Sequence, residues 1–129
     1  MMMKSKATWI ALVSTVVLIM GMRTANAQLP EKKLGWYLSA QTYTFNRFTF
    51  FEAVDKTISA GLHSVEAYNG QEIGGGIAGK MDFKMPAEQR QAILKALKKK
   101  GVKLCAFGVV NGNTEEEWRQ LFEFAKAMG

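Results

Sequence analysis

The sequence predicts an α/β chain built as β-α-β-α-β-α, and three observations predict it. Twice a helix-like run ends in Gly and passes straight into an apolar strand, once through Gly61 into Leu62-His63-Ser64-Val65-Glu66-Ala67 and once through Gly101 into Val102-Lys103-Leu104-Cys105-Ala106-Phe107. Gly is the usual stop because it takes the left-handed conformation without a steric cost. Thr49 with Glu52 and Thr114 with Glu117 repeat the spacing of a helix capping box. Strands that alternate with helices in this way run parallel, through right-handed crossovers. Two architectures share that order: an open doubly wound sheet and an eight-stranded (β/α)8 barrel.

The first 27 residues read as an export leader. Lys4 and Lys6 make a positive start, residues 7–22 are nearly uncharged and mostly apolar, and Ala25-Asn26-Ala27 supplies a small-x-small cleavage site. A spanning helix wants about 20 apolar residues, and this run is shorter and meets Arg23. The expectation is therefore an exported protein, periplasmic or secreted, with no membrane attachment after cleavage. No Cys follows Ala27 to carry a lipid. Cleavage would remove three of the 17 basic residues and none of the 11 acidic ones, which lowers the net charge from +6 to +3. Lys98-Lys99-Lys100 lies in the last turn of a helix, where cations suit the dipole. No aromatic residues interleave with it, so no nucleic acid is expected as a partner.

The remaining elements follow in order. Residues 28–34 form a polar linker, and residues 35–129 form the domain. Residues 36–43 read as a strand rich in aromatic and small side chains. Asn46-Arg47 turns the chain into a helix over 50–60, with Phe51, Val54 and Ile58 on one face. The strand at 62–67 is followed by a glycine-rich loop, 68–85. Pro86 opens a helix to residue 100 that buries Ile93, Leu94 and Leu97. A third strand spans 102–110, with Cys105 as a buried free thiol. After Asn111-Gly112-Asn113, a last helix presents Trp118, Leu121, Phe122 and Ala125 as its apolar stripe, with Trp118 in the core. This helix again meets a Gly, at Gly129, so a fourth strand is expected to follow, and the chain reads as the first part of a larger protein.

The C-terminal strand ends carry Gln41 and Tyr43, Glu66 and Tyr68, and Asn111. Ligand groups of a barrel sit at such ends. A dinucleotide-binding first turn would need glycines where Thr44-Phe45-Asn46-Arg47 stands. Gly74, Gly76 and Gly79 match G-x-G-x-x-G, and Gly79-Lys80 matches the end of a P-loop. However, Met81 replaces the hydroxyl residue, and no helix begins before Pro86. This stretch is expected to be a mobile loop over the site. Strand alternation puts Ser64, Glu66 and Tyr68 on one side. Glu66 is then either an acceptor for sugar hydroxyls or a structural group, in an ion pair or a loop hydrogen bond. Arg47 either clamps an anion or pairs with Asp82 or Glu52. His63 opens its strand at the opposite end, so no catalytic residue is assigned to it. No His, Cys, Asp or Glu cluster has metal-ligand spacing.

Leu38-Ser39-Ala40-Gln41-Thr42-Tyr43-Thr44-Phe45, the Phe-rich helix entry, Gly61 to Tyr68 and Gly101-Val102-Lys103-Leu104 together resemble the start of the sugar phosphate isomerase/epimerase family, which are xylose isomerase-like TIM barrels. The resemblance covers residues 34–129. It implies the first three βα units of a (β/α)8 TIM barrel, incomplete as written. It also implies proton transfer next to a sugar carbonyl, with a divalent metal (Mn, Mg, Co or Zn) in the full-length protein. Its metal ligands belong to the second half of such a barrel, so none is expected here, and the chain alone is expected to be inactive. Glu66, Gln41, Tyr43 and Tyr68 carry over as substrate-side contacts to a sugar or sugar derivative. The end of the third strand has no His, as some relatives do. Two other readings remain: an exported, non-enzymatic sugar-binding or interaction module, whose strand edges a homo-oligomer would cover, and a barrel lyase or hydrolase acting on modified glycosides.

Overall fold

A computed structural model of the chain describes residues 30–129. The expected leader and its cleavage site lie outside the described residues. Of the expected linker, Pro30–Lys33 forms a short helix, α1. The elements that follow are β1 Ala40–Gln41, a 3-10 turn Thr42–Phe45, α2 Phe50–Ser59, β2 Ser64–Ala67, β3 Glu72–Gly74, β4 Ile77–Lys80, α3 Ala87–Lys100, β5 Lys103–Phe107 and α4 Glu115–Met128.

The helix boundaries have local causes. At the start of α2, the Thr49 N–H donates to Glu52 Oε2 at 2.8 Å and the Glu52 N–H donates to Thr49 Oγ1, closing the expected capping box. At α4 the Thr114 hydroxyl accepts from the Glu117 N–H, but the Glu117 carboxylate accepts from the Asn113 N–H instead of the cap residue's own. Helix α3 ends at Gly101, which takes the left-handed conformation at φ 67°. The nearby Lys100 ammonium pairs with Asp55 of α2, so the lysine run is a helix end tied to a neighbouring helix.

The strands form two sheets. One is parallel, in the order β1-β2-β5, and the other is the antiparallel pair β3-β4. This small α/β arrangement overturns the expectation of three βα units of a TIM barrel. The first strand pairs over two residues only, because the chain coils into the 3-10 turn at Thr42. The stretch expected to be a mobile loop is a hairpin with a sheet of its own. Gly75 and Gly76 sit between the paired Gly74 and Ile77, both at positive φ, as a two-residue hairpin turn requires. The hairpin also packs tightly on α2. A Cβ on Gly74 would stand 2.5 Å from Thr49 Oγ1, and one on Gly75 would stand 2.9 Å from the Phe51 ring. These glycines permit close contact with a helix, and they do not form a phosphate cradle.

The core lies between the parallel sheet and helices α2, α3 and α4. It is filled by Phe50, Val54, Val65, Ile73, Met81, Ile93, Leu97, Leu104 and Phe124, among others. A bulge in β5 sets how that strand faces the core. Val65 pairs with Leu104, but Glu66 pairs with Ala106, so Cys105 is an extra residue. Leu104 and Phe107 then share the core side. Cys105 is only half-buried, with its thiol on Ser39 Oγ at 3.1 Å, and is not the enclosed core residue expected.

The apolar face of α4 also differs from expectation. Phe124 and Met128 are buried and Leu121 packs beside them, while Trp118 is 40% exposed and Phe122 68% exposed, with Ala125 also outside. Both sets have helical spacing, so periodicity alone does not choose between them. Phe107 of β5 does, meeting Phe124 with ring centroids 4.8 Å apart.

Phe124→Ala should therefore cost about 3–5 kcal/mol of stability and Phe122→Ala no more than about 0.5 kcal/mol, as measured by urea unfolding. Equal losses would mean that the wrong face has been assigned to the core. The Thr49 N–H, and then its hydroxyl, hold the Glu52 carboxyl below its ordinary range. That contribution is present above the unfolded carboxylate pKa and is lost as pH falls through the folded value. Thr49→Ala should lower stability near neutral pH and flatten the acid limb of the stability profile.

Candidate functional site

β2 is hydrogen-bonded on both edges, so alternation along it has direct consequences. Val65 and Ala67 are fully buried in the core, and Glu66 points to the other face. Gln41 of β1 stands in register with Glu66. Parallel neighbours in register share a face, and here the Gln41 amide Nε2 donates to Glu66 Oε1 at 3.1 Å. On the other flank the Gly108 N–H donates to the Ala67 carbonyl at 2.9 Å. A Cβ on Gly108 would lie 3.7 Å from Glu66 Oε1, so its bare backbone forms a wall beside the carboxylate.

The next residue on the Glu66 face is Tyr68, which meets Tyr43 edge to face with centroids 5.1 Å apart. Burial, and secondarily Tyr43, push the Tyr68 phenol above its ordinary range, so it stays a neutral hydroxyl donor well past neutral pH. All four predicted site residues, Gln41, Tyr43, Glu66 and Tyr68, thus gather at the C-terminal end of the parallel sheet. Glu66 forms none of the ion pairs found among the described residues, and its side-chain contact is the Gln41 hydrogen bond. One carboxylate oxygen is held by Gln41 and the other has no protein partner among the described residues. The arrangement offers strong hydroxyl acceptors beside two aromatic rings.

Arg47 pairs with neither Glu52 nor Asp82. Glu52 caps α2, and the Asp82 carboxylate accepts from the Lys84 N–H. Arg47 lines a cavity of about 270 Å³ together with Asn46, Tyr68 and Gln71. His63 is exposed at the opposite end of the sheet. It lines a cavity of about 550 Å³ with Trp36, Tyr37 and Leu38. Trp36, Tyr37, Leu38 and His63 are exposed there and Glu31 and Ser64 also line it, and we place the functional site at the Glu66 end, where the four expected residues come together. Trp118 does not enter the core but packs against Gly112 and Phe122.

Sequence reasoning missed several neighbours. Gly108 matters through its missing side chain, and the only signal was a Gly at the end of an apolar strand. Asn69, Asn111 and Asn113 line one further cavity at this end, with Asp82, Lys84 and Glu117. The signal for Asn69 was its place directly after Tyr68. Among the described residues no three His, Cys, Asp or Glu side chains converge on one point. Among the same residues no helix is long and apolar enough to cross a membrane.

No family model matches this chain, and no curated protein matches it. Its fold is similar to the crystal structure of an uncharacterised protein from Parabacteroides distasonis ATCC 8503, with 32% sequence identity and a TM-score of 0.69. The likeness covers 73% of this chain and 40% of that one, so the chain spans well under half the length of the protein that it resembles.

Proposed function

We propose that the face formed by Gln41, Tyr43, Glu66 and Tyr68 binds a sugar or a close sugar derivative. The observation that carries this reading is the Gln41–Glu66 hydrogen bond set beside the Tyr43–Tyr68 pair. A carboxylate held by an amide accepts hydrogen bonds from hydroxyls, and charge-assisted bonds of this kind are the stronger ones. The aromatic pair offers an apolar surface to the C–H groups of a sugar ring. The groups beside the carboxylate, the Gln41 amide and the Gly108 backbone, are neutral, which suits a hydroxylated ligand.

In this reading the chain contributes substrate-side contacts and not the chemical step. That fits the resemblance to sugar phosphate isomerases and epimerases, in which proton transfer beside a carbonyl needs a second acid or base and a metal. A longer protein would supply those groups, and the chain alone would bind without turnover. With the expected leader, this encounter takes place outside the cytoplasm.

Titration of the full chain with glucose, mannose and xylose, followed by calorimetry and by the near-ultraviolet signal of the tyrosines, tests the reading. At least one sugar should bind and perturb the tyrosine signal. Glu66→Gln and Gln41→Ala should each weaken that binding about tenfold, as expected for loss of one charged hydrogen bond. Absence of binding by every sugar, or affinities unchanged in both variants, would reject it. Metal-dependent aldose–ketose conversion by this chain alone would reject the division between binding and chemistry.

A further inference from the structure

The cavity next to the Glu66 face has a chemistry that the four-residue site does not use. Its volume is about 340 Å³, within the roughly 300–1,000 Å³ range of small-ligand clefts. The strand that carries Glu66 and its β5 neighbour both run on into it. β2 leads through Tyr68 to Asn69, and β5 leads through Gly108 to Val109 and Asn111. The two places are therefore neighbours across Gly108, whose backbone borders the Glu66 carboxylate on one side and whose next residue lines the cavity.

One ion pair of this cavity is already made, and a second carboxylate, Asp82, remains beside it. The Lys84 ammonium donates to Glu117, whose second oxygen accepts from the Asn113 N–H at 2.8 Å. Those contacts hold the Glu117 carboxyl below its ordinary range, with Lys84 the larger cause. Asp82 Oδ1 accepts from the Lys84 backbone N–H at 2.8 Å. The Asn69 and Asn111 side chains, by contrast, have no hydrogen-bond partner among the described residues, and both residues are exposed. Each amide offers two donors and an acceptor, which suits hydroxyls that both give and take hydrogen bonds. Val109 is 86% exposed at the same place and adds an apolar contact. The two amides both give and take hydrogen bonds and the Asp82 carboxylate adds an acceptor, so the capacity left over favours a polyhydroxyl group over an anion.

We infer that this cavity takes a second sugar ring, so that the ligand is a neutral disaccharide or longer glycan lying across Gly108. The inference rests on the sugar-binding reading of the Glu66 face. In it, one ring meets Glu66, Gln41 and the tyrosines, and the next meets Asn69, Asn111 and Val109.

The test compares glucose, mannose and xylose with cellobiose, mannobiose and xylobiose by calorimetry on the full chain. The variants are Asn69→Ala, Asn111→Ala and the double variant, with thermal melts to check that each folds as the parent does. For the sugar that binds, the disaccharide should bind at least tenfold tighter than its monosaccharide. The double variant should lose that advantage and keep the monosaccharide affinity. If the disaccharide binds no tighter in the parent, or its advantage survives in the double variant, the second subsite is wrong. Monosaccharide binding that remains sensitive to Glu66→Gln would then leave the first reading standing. If no sugar binds the parent at all, both readings fall.

Discussion

The double pairing of β2 is the constraint on which the rest of this structure depends. A strand bonded on both edges has no freedom to rotate, so its side chains are committed to alternate faces. Val65 and Ala67 go into the core, and Glu66 must go the other way. The same ladder brings Gln41 into register on one side and Gly108 onto the Ala67 carbonyl on the other. The position of the carboxylate is thus a by-product of burying two small apolar side chains. A one-residue slip of this strand would put Glu66 in the core and dismantle the site and the packing together.

Two departures from regularity let helices of ordinary composition close over this sheet. The extra residue at Cys105 re-aims β5, so that Leu104 and Phe107 point the same way although they are three residues apart. Phe107 then selects which apolar stripe of α4 is buried. The glycine hairpin does the corresponding work at α2, where Gly74 and Gly75 bring backbone against Thr49 and Phe51 at distances that a side chain would not allow. Ile73 and Met81, on either side of that turn, are fully buried as a result. The hairpin is therefore part of the core and connects β2 to α3 through packed structure.

The cavity beyond Gly108 shows how local electrostatics shapes the chemistry on offer. Lys84, Glu117 and the Asn113 N–H satisfy one another, and so does the Asp82 side chain with the Lys84 backbone. These contacts also join the loop after β4 to the start of α4. What they leave for a ligand is the Asn69 and Asn111 amides and acceptor capacity on Asp82, beside the Glu66 carboxylate on the neighbouring face. The polar character of this end of the sheet is thus divided between groups that hold the loops and groups that face outward.

Much of this was legible in the residues, where the cause is local. Capping at Thr49, the stop at Gly101, the parallel order of the three main strands and the gathering of Gln41, Tyr43, Glu66 and Tyr68 at one strand end all follow from spacing and alternation over a few residues. The rest depends on contacts between segments far apart in the chain. The barrel expectation failed because strand-helix alternation says nothing about whether a long connection pairs with itself. The face of α4 was misread because two stripes had the same period and only Phe107 distinguishes them. Cys105 was expected to be enclosed because a bulge is set by pairing with the neighbouring strand. The sequence by itself determined the three longer helices, the three parallel strands, their order and the identity of the polar strand ends, since these rest on backbone preferences and periodicity. Only the tertiary structure decided which faces are buried, where the glycines let segments touch and which side chains remain free for a ligand, because those outcomes depend on which distant residues come into contact.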